Sequence, residues 1–303
     1  MRYGFIGLGN LGAHLAASLR RKGFALAVHD LNRAAAEPLL AAGAVWAISP
    51  QACAEAADAV ITCLPSPAAS AAVLTGAQGV LAGLRRGGAW IEMSTTDHHE
   101  ILRIAALAAQ SGIDVLEAPV TGGVHKAASG QITVLVGGDT ALYRAHLPAF
   151  NAMGSQVFHM GPLGKAAIIK VITNMLAFIH LVAAGEALML AKRGGIDVAQ
   201  AFAAIKASSG TSFVHETESQ LILNGSYNIG FTMDLACKDL GFAHQLGREF
   251  EVPLELGGMT EQIFRRARAQ YGGDAWSTQV VKLLEDALHT DLRAPGFPSV
   301  LQE

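Results

Sequence analysis

Arg2-Tyr3-Gly4-Phe5-Ile6-Gly7-Leu8-Gly9-Asn10-Leu11-Gly12 opens the chain. A short apolar run, Tyr3–Ile6, leads directly into G-x-G-x-x-G, and a helical pattern, Leu11–Arg20, follows. Strand, glycine turn and helix in that order form the context in which this spacing binds a dinucleotide. Gly7 permits the tight turn, Gly9 lets the backbone approach a pyrophosphate, and Gly12 allows the helix to pack closely on the strand. With Leu8, Asn10 and Leu11 between the glycines, the phosphates would face free N–H groups and the positive end of a helix. The alternative is a glycine-rich turn without a ligand.

The next apolar run, Ala25–His29, ends at Asp30, which is 18 residues past Gly12. An acid about 20 residues on accepts from the adenosine ribose hydroxyls. Its charge repels a 2′-phosphate, which favours NAD. Arg33 just beyond can accommodate that phosphate, so NADP is the other option. Farther out, Ala59–Cys63, Ala89–Glu92, Asp114–Leu116 and Thr133–Val136 read as strands, with Ala-rich helical segments such as Ala34–Ala42 and His99–Ala109 between them. Such alternation predicts a doubly wound parallel sheet.

The pattern changes near Gly161-Pro162. A helical stretch without proline runs from about 165 to 192 and stops at Gly194-Gly195. Helical patterns follow at Val198–Ala207, Asp234–Glu249, Gly258–Gln270 and Ser277–His289, with a loop signal at Asn224-Gly225-Ser226-Tyr227-Asn228. The expectation is an α/β chain with a Rossmann dinucleotide-binding domain over 1–162. An all-helical domain for substrate and oligomerisation covers 163–303, and the long helix joins the two.

Composition narrows the class. The 303 residues are 51% hydrophobic and 16% charged, which argues for large buried surfaces and a homo-oligomer, dimer or tetramer. A net charge of -3 without a basic patch excludes nucleic acid as the expected partner. Cys53, Cys63 and Cys237 are scattered, with no metal or redox spacing, which fits a reducing compartment. A strand-like run begins at once, so no leader is expected and the cytoplasm is the predicted location. His98-His99 are adjacent on a helix start and have no third ligand in step with them, so no metal is expected.

Lys170 heads the run Val171–Gly185, which carries no fixed charge and contains Asn174 and His180. The run is short of the ~20 residues of a membrane span and reads as a buried helix. A lysine there either snorkels into water or is buried, and burial lowers its pKa toward the range useful in proton transfer. Asn174 is four residues on, hence on the same helix face. Upstream, Glu117-Ala118-Pro119-Val120-Thr121-Gly122-Gly123-Val124-His125-Lys126-Ala127 follows a strand end. Thr121 offers a hydroxyl, and Gly122 and Gly123 can present N–H groups to an anion such as a carboxylate. An ordinary turn is the alternative. Phe231-Thr232-Met233-Asp234-Leu235-Ala236-Cys237-Lys238-Asp239-Leu240 places a further lysine in an apolar helical setting.

Together these segments resemble the β-hydroxyacid dehydrogenase family, which includes 3-hydroxyisobutyrate dehydrogenases and tartronate semialdehyde reductases. Four motifs occur in the family's order over nearly the whole length. Phe5–Gly12 is similar to the N-terminal cofactor signature, with Leu11 where methionine is usual. Glu117–Gly123 is similar to D-A-P-V-S-G-G, with Glu for Asp and Thr121 for Ser. Gly161–Asn174 is similar to the catalytic motif, with Ala166 where glycine is common, and Phe231–Leu240 to the C-terminal K-D-L segment.

The resemblance implies reversible hydride transfer between a small 3-hydroxy carboxylic acid and a nicotinamide cofactor. It further implies Lys170 as acid/base, Asn174 on the substrate, and Thr121, Gly122 and Gly123 on its carboxylate. Lys238 and Phe231 would lie by the cofactor, Ser94 and Thr95 beside the nicotinamide ribose, and Leu64 and Pro65 near the adenosine side. Lys126 resembles a lysine of the tartronate semialdehyde reductases and points to small polar hydroxy acids. The alternatives are an imine reductase-like enzyme or a cofactor-binding protein of the same fold without turnover.

Overall fold

A computed structural model describes residues 1–301. The chain divides into two compact units, Met1–Lys170 and the residues from Val171 on.

The first unit is built on one sheet: β1 (Arg2–Ile6), β2 (Ala25–His29), β3 (Val45–Trp46), β4 (Ala59–Thr62), β5 (Ala89–Glu92), β6 (Asp114–Glu117), β7 (Val120–Thr121), β8 (Ile132–Gly138) and β9 (Gly154–Gly161). The strand order is β3-β2-β1-β4-β5-β6-β8-β7, with β9 also on β8. The six strands from β3 to β6 are parallel. Beyond them the expected parallel sheet becomes mixed, because β8 runs antiparallel to both β6 and β7. The chain order reverses between β1 and β4, whose C-terminal residues Ile6 and Thr62 are paired. Ligands of open α/β sheets bind outside the strand ends at such a reversal.

β4 and β5 are buried along their whole length. This is why they read as continuous apolar runs rather than alternating ones. Successive residues serve opposite faces: Phe5 packs with Leu15, Leu19 and Phe150, whereas Ile6 packs with Val60, Leu74 and Trp90. The strands with no clear sequence signal are peripheral. β3 and β7 have two residues each, and β9 has glycine at both ends and one fully buried residue.

The long helix spans Lys165–Arg193, 29 residues. It extends past the apolar run at both ends, so by length and composition it could cross a membrane, and only 33% of its most apolar window is buried within the chain, less than the buried helix expected from the sequence. The division between compact units falls inside it, after Lys170. Its first turn is held by the first unit, since Ala166 and Ala167 donate their N–H groups to Glu117.

The second unit is helical: Val198–Lys206, Phe213–Asn224, Met233–Glu249 and Glu255–Tyr271, then a short 3-10 turn at Ser277–Val281 leading into Lys282–Ala287. Phe178, Leu181, Ile222, Leu240 and Phe264 form its core. Gly225 ends its helix with φ 91, as the loop signal predicts. The tail is fastened by Arg293, which donates to Glu285 at 3.0 Å and to the Tyr227 hydroxyl at 2.7 Å.

Candidate active site

The glycines of the first loop separate by what surrounds them. A Cβ on Gly7, which has φ +97, would lie 2.2 Å from the Cys63 carbonyl oxygen, and one on Gly12 would lie 2.0 Å from the Gly7 oxygen. Both are required by packing. Gly9 has no atom within 4 Å of its Cβ position. That open side faces the approach a pyrophosphate needs. A groove of about 390 Å³ lies there, lined by Leu8, Gly9, Asn10, His14, Asp30 and Asn32 among others. Asp30 is fixed from both sides. It accepts the Leu8 N–H at 2.6 Å and the Asn32 N–H at 2.8 Å. Each carboxylate oxygen has a second acceptor site, so the residue can still take a ribose hydroxyl. Arg33 lies over the Trp46 ring, 5.9 Å from its centroid. These residues fit a dinucleotide.

Leu11 precedes the helix Gly12–Arg21 without a side-chain cap. At the ends of β4 and β5, Leu64 donates its N–H to Ser94 Oγ at 2.7 Å, and the Ser94 N–H goes to Glu92 at 2.7 Å. Ser94 is buried and acts as a tie between two loops, whereas Thr95 is half-buried and Pro65 exposed. Burial raises the pKa of Glu92 against the hydrogen bonds it accepts. The sequence signal for its part is an acid ending a wholly buried strand.

Gly122 (φ +122) and Gly123 (φ +88) both lie in the left-handed region, so the turn after β7 needs glycine. Thr121 is half-buried and pairs with Thr133. A short helix, Gly123–Ala128, starts within the segment and carries the half-buried Lys126, whose Cβ lies 3.5 Å from the Gly122 Cβ position. Glu117 leads into this turn, yet its carboxyl serves the long helix. Burial pushes its pKa up to about 7, although the backbone N–H groups of Ala166, Ala167 and Gly164 favour the anion.

Lys170 is 8% exposed and therefore does not snorkel at the helix end. Asn174, one turn on, is half-buried. Within the second unit the Asn174 side-chain amide donates to Asp239 Oδ2 at 2.6 Å. The Lys238 ammonium sits 2.9 Å from Asp239 Oδ1, an ion pair outside hydrogen-bond geometry. Asp239 is fully buried. It stood in the quoted K-D-L segment without a role; here it orients the amide of Asn174. Phe231 packs 6.0 Å from Phe178, ring to ring. His98, at the start of its helix, is buried, with its ring 3.8 Å from that of the exposed His99.

Comparison with known proteins divides the chain just ahead of the long helix. A sequence model of the NAD binding domain of 6-phosphogluconate dehydrogenase matches residues 2–161. One described as NAD-binding of NADP-dependent 3-hydroxyisobutyrate dehydrogenase matches residues 164–284. The chain is 33% identical over 286 residues to 2-(hydroxymethyl)glutarate dehydrogenase of Eubacterium barkeri, covering 94% of this chain and 95% of that protein. It is 34% identical over 269 residues to the mitochondrial 3-hydroxyisobutyrate dehydrogenase of Rattus norvegicus, covering 86% and 80%. The crystal structure of a 3-hydroxyisobutyrate dehydrogenase from Salmonella typhimurium superposes with a TM-score of 0.87 at 30% identity, over 93% and 99% of the two chains. Fold and relatives define an NAD(P)-dependent oxidoreductase acting on CH–OH donors. The chain belongs to the β-hydroxyacid dehydrogenase family.

Proposed function

We propose that this enzyme oxidises, reversibly, a small 3-hydroxy carboxylic acid with NAD, using Lys170 as general acid/base. The observation that carries the reading is a lysine only 8% exposed, with the carboxamide of Asn174 one turn away on the same helix. In oxidation the Lys170 amine takes the proton of the substrate hydroxyl; in reduction it returns it. General acid–base help of this kind is worth ~10²–10⁴-fold. Thr121 and the N–H groups of Gly122 and Gly123 hold the substrate carboxylate. Lys126 adds positive charge beside that turn. Asn174, its amide oriented by Asp239, holds the substrate hydroxyl oxygen, and Phe231 and Lys238 serve the cofactor. The bound nicotinamide supplies the hydride acceptor or donor. Gly7–Gly12, Leu64, Pro65 and Thr95 would hold the dinucleotide, with Ser94 fixing the loop.

NAD is favoured because the Asp30 carboxylate, anchored by two N–H groups, meets the ribose edge with negative charge. A homo-oligomer is favoured because Ile172, Leu176 and Leu190 stand 42%, 48% and 76% exposed along the long helix. A second copy of this chain would cover them. Three free cysteines fit the cytoplasm.

The test is a panel of 3-hydroxy acids with NAD and with NADP, followed by the absorbance of reduced nicotinamide. Turnover of at least one acid, with higher kcat/KM for NAD, is expected. NAD binding without turnover of any acid would contradict the reading.

A further inference from the structure

Glu117 ends β6 and is 1% exposed. Its Oε1 accepts the N–H of Ala166 and its Oε2 that of Ala167, both at 2.9 Å. The first N–H groups of a helix have no partner inside it and carry the positive end of its dipole. A buried carboxyl with both oxygens committed there is a clamp, supplied from 49 residues earlier. Its room comes from backbone: Glu117 is paired with Gly137 of β8, and a Cβ on Gly137 would lie 2.3 Å from Glu117 Oε1.

Two consequences meet at this carboxyl. Lys170 follows Ala166 by one turn, so its backbone is built on the clamped turn. The stretch after Glu117 is also fixed. Ala118 donates its N–H to the Glu92 carbonyl at 2.6 Å, and the Pro119 carbonyl accepts the Leu135 N–H at 2.9 Å. Thr121, Gly122 and Gly123 come immediately after. One strand end therefore carries the anion-holding turn forward and grips the start of the lysine helix with its side chain.

We propose that Glu117 is a positioning residue for the reaction: by clamping Ala166 and Ala167 it sets where the Lys170 amine stands relative to the Thr121–Gly123 turn. The inference rests on the assignment of Lys170 as acid/base. A misplacement of about 1 Å can cost on the order of 10²-fold in rate. A clamp that only stabilised the helix would not separate kcat from binding.

The experiment compares Glu117→Gln, Glu117→Asp, Gly137→Ala and Lys170→Met with wild type in kcat, KM, NAD dissociation constant and Tm. Glu117→Gln puts a donor against one of the two N–H groups. It should lose at least ~10-fold in kcat, with KM changed less and NAD affinity within about 2-fold. Glu117→Asp keeps an anion on the strand end but stops one methylene short of Ala166 and Ala167, so it should also lose kcat, which separates position from charge. Gly137→Ala displaces the carboxyl without removing it and should reproduce the kcat loss even if Glu117→Gln does not fold. Wild-type kcat in folded Glu117→Gln or Gly137→Ala would overturn the proposal. So would kcat losses that merely track Tm and NAD affinity in all three. If Lys170→Met is inactive while the Glu117 and Gly137 variants are not, only this inference fails. If Lys170→Met turns over normally, the acid/base reading fails and takes this inference with it.

Discussion

The three glycines of the first loop make different contributions, and substitution separates them. Gly12→Ala drives a methyl to 2.0 Å from the Gly7 oxygen. Overpacking of this kind costs ~1–3 kcal/mol or more, so chemical denaturation should show a clear loss of stability with or without cofactor. Gly9→Ala projects into open space. It should leave the apo-protein's Tm nearly unchanged and weaken NAD binding by roughly 10-fold, about 1.4 kcal/mol, which titration calorimetry would read. Equal destabilisation by the two changes would refute the division. At Asp30, exchange of the carboxylate for an amide removes the charge that opposes a 2′-phosphate. Asp30→Asn should lower the NAD over NADP ratio of kcat/KM by at least ~10-fold, and an unchanged ratio would place the discrimination elsewhere.

Loops at the strand ends are tied by buried polar groups. Ser94→Ala leaves the Leu64 N–H without its 2.7 Å acceptor. The loss of a buried partner is worth ~1–3 kcal/mol. A lower Tm and a raised KM for NAD are expected, with kcat changed less; a wild-type KM would show that the tie does not shape the cofactor site. This tie also marks the limit of what the sequence discloses. β1, β2, β4 and β5 are legible because burial on both faces writes them as apolar runs, and the phosphate loop because its glycines are spaced by backbone geometry. β3 and β9 are not, since edge strands bury little. The reversal to antiparallel at β8 leaves no local trace either. Glu117 and Asp239 find their partners 49 and 65 residues away, a relation no window of sequence contains. Thr121, Gly122, Gly123, Lys170 and Asn174 are visible as motifs, and so are Glu117 and Asp239, but the partners of those two acids are not.

Across the molecule, two buried groups pull stability in opposite directions with pH. His146, bonded to the Tyr3 hydroxyl at 2.9 Å, is held down to about 4 by burial. The unfolded chain takes that proton near 6.5, so the stability it contributes is present above about 6.5 and lost as pH falls toward 4. Glu117 is raised to about 7. The folded state holds its proton more tightly, so its contribution is full below about 4.5 and lost as pH rises to 7. Urea unfolding over pH 4–7 should show a flattened acid limb for His146→Gln and a flattened fall toward neutrality for Glu117→Gln. Parallel curves for mutant and wild type would contradict either assignment.

The proposed reading gives the Lys170 amine the proton transfer of the whole reaction. Initial rates of hydroxy-acid oxidation with NAD, measured for wild type and Lys170→Met alongside NAD titration of both, test this most directly. A fall of at least ~100-fold in kcat with NAD affinity preserved is the predicted result. Turnover by Lys170→Met within a factor of a few of wild type would contradict it.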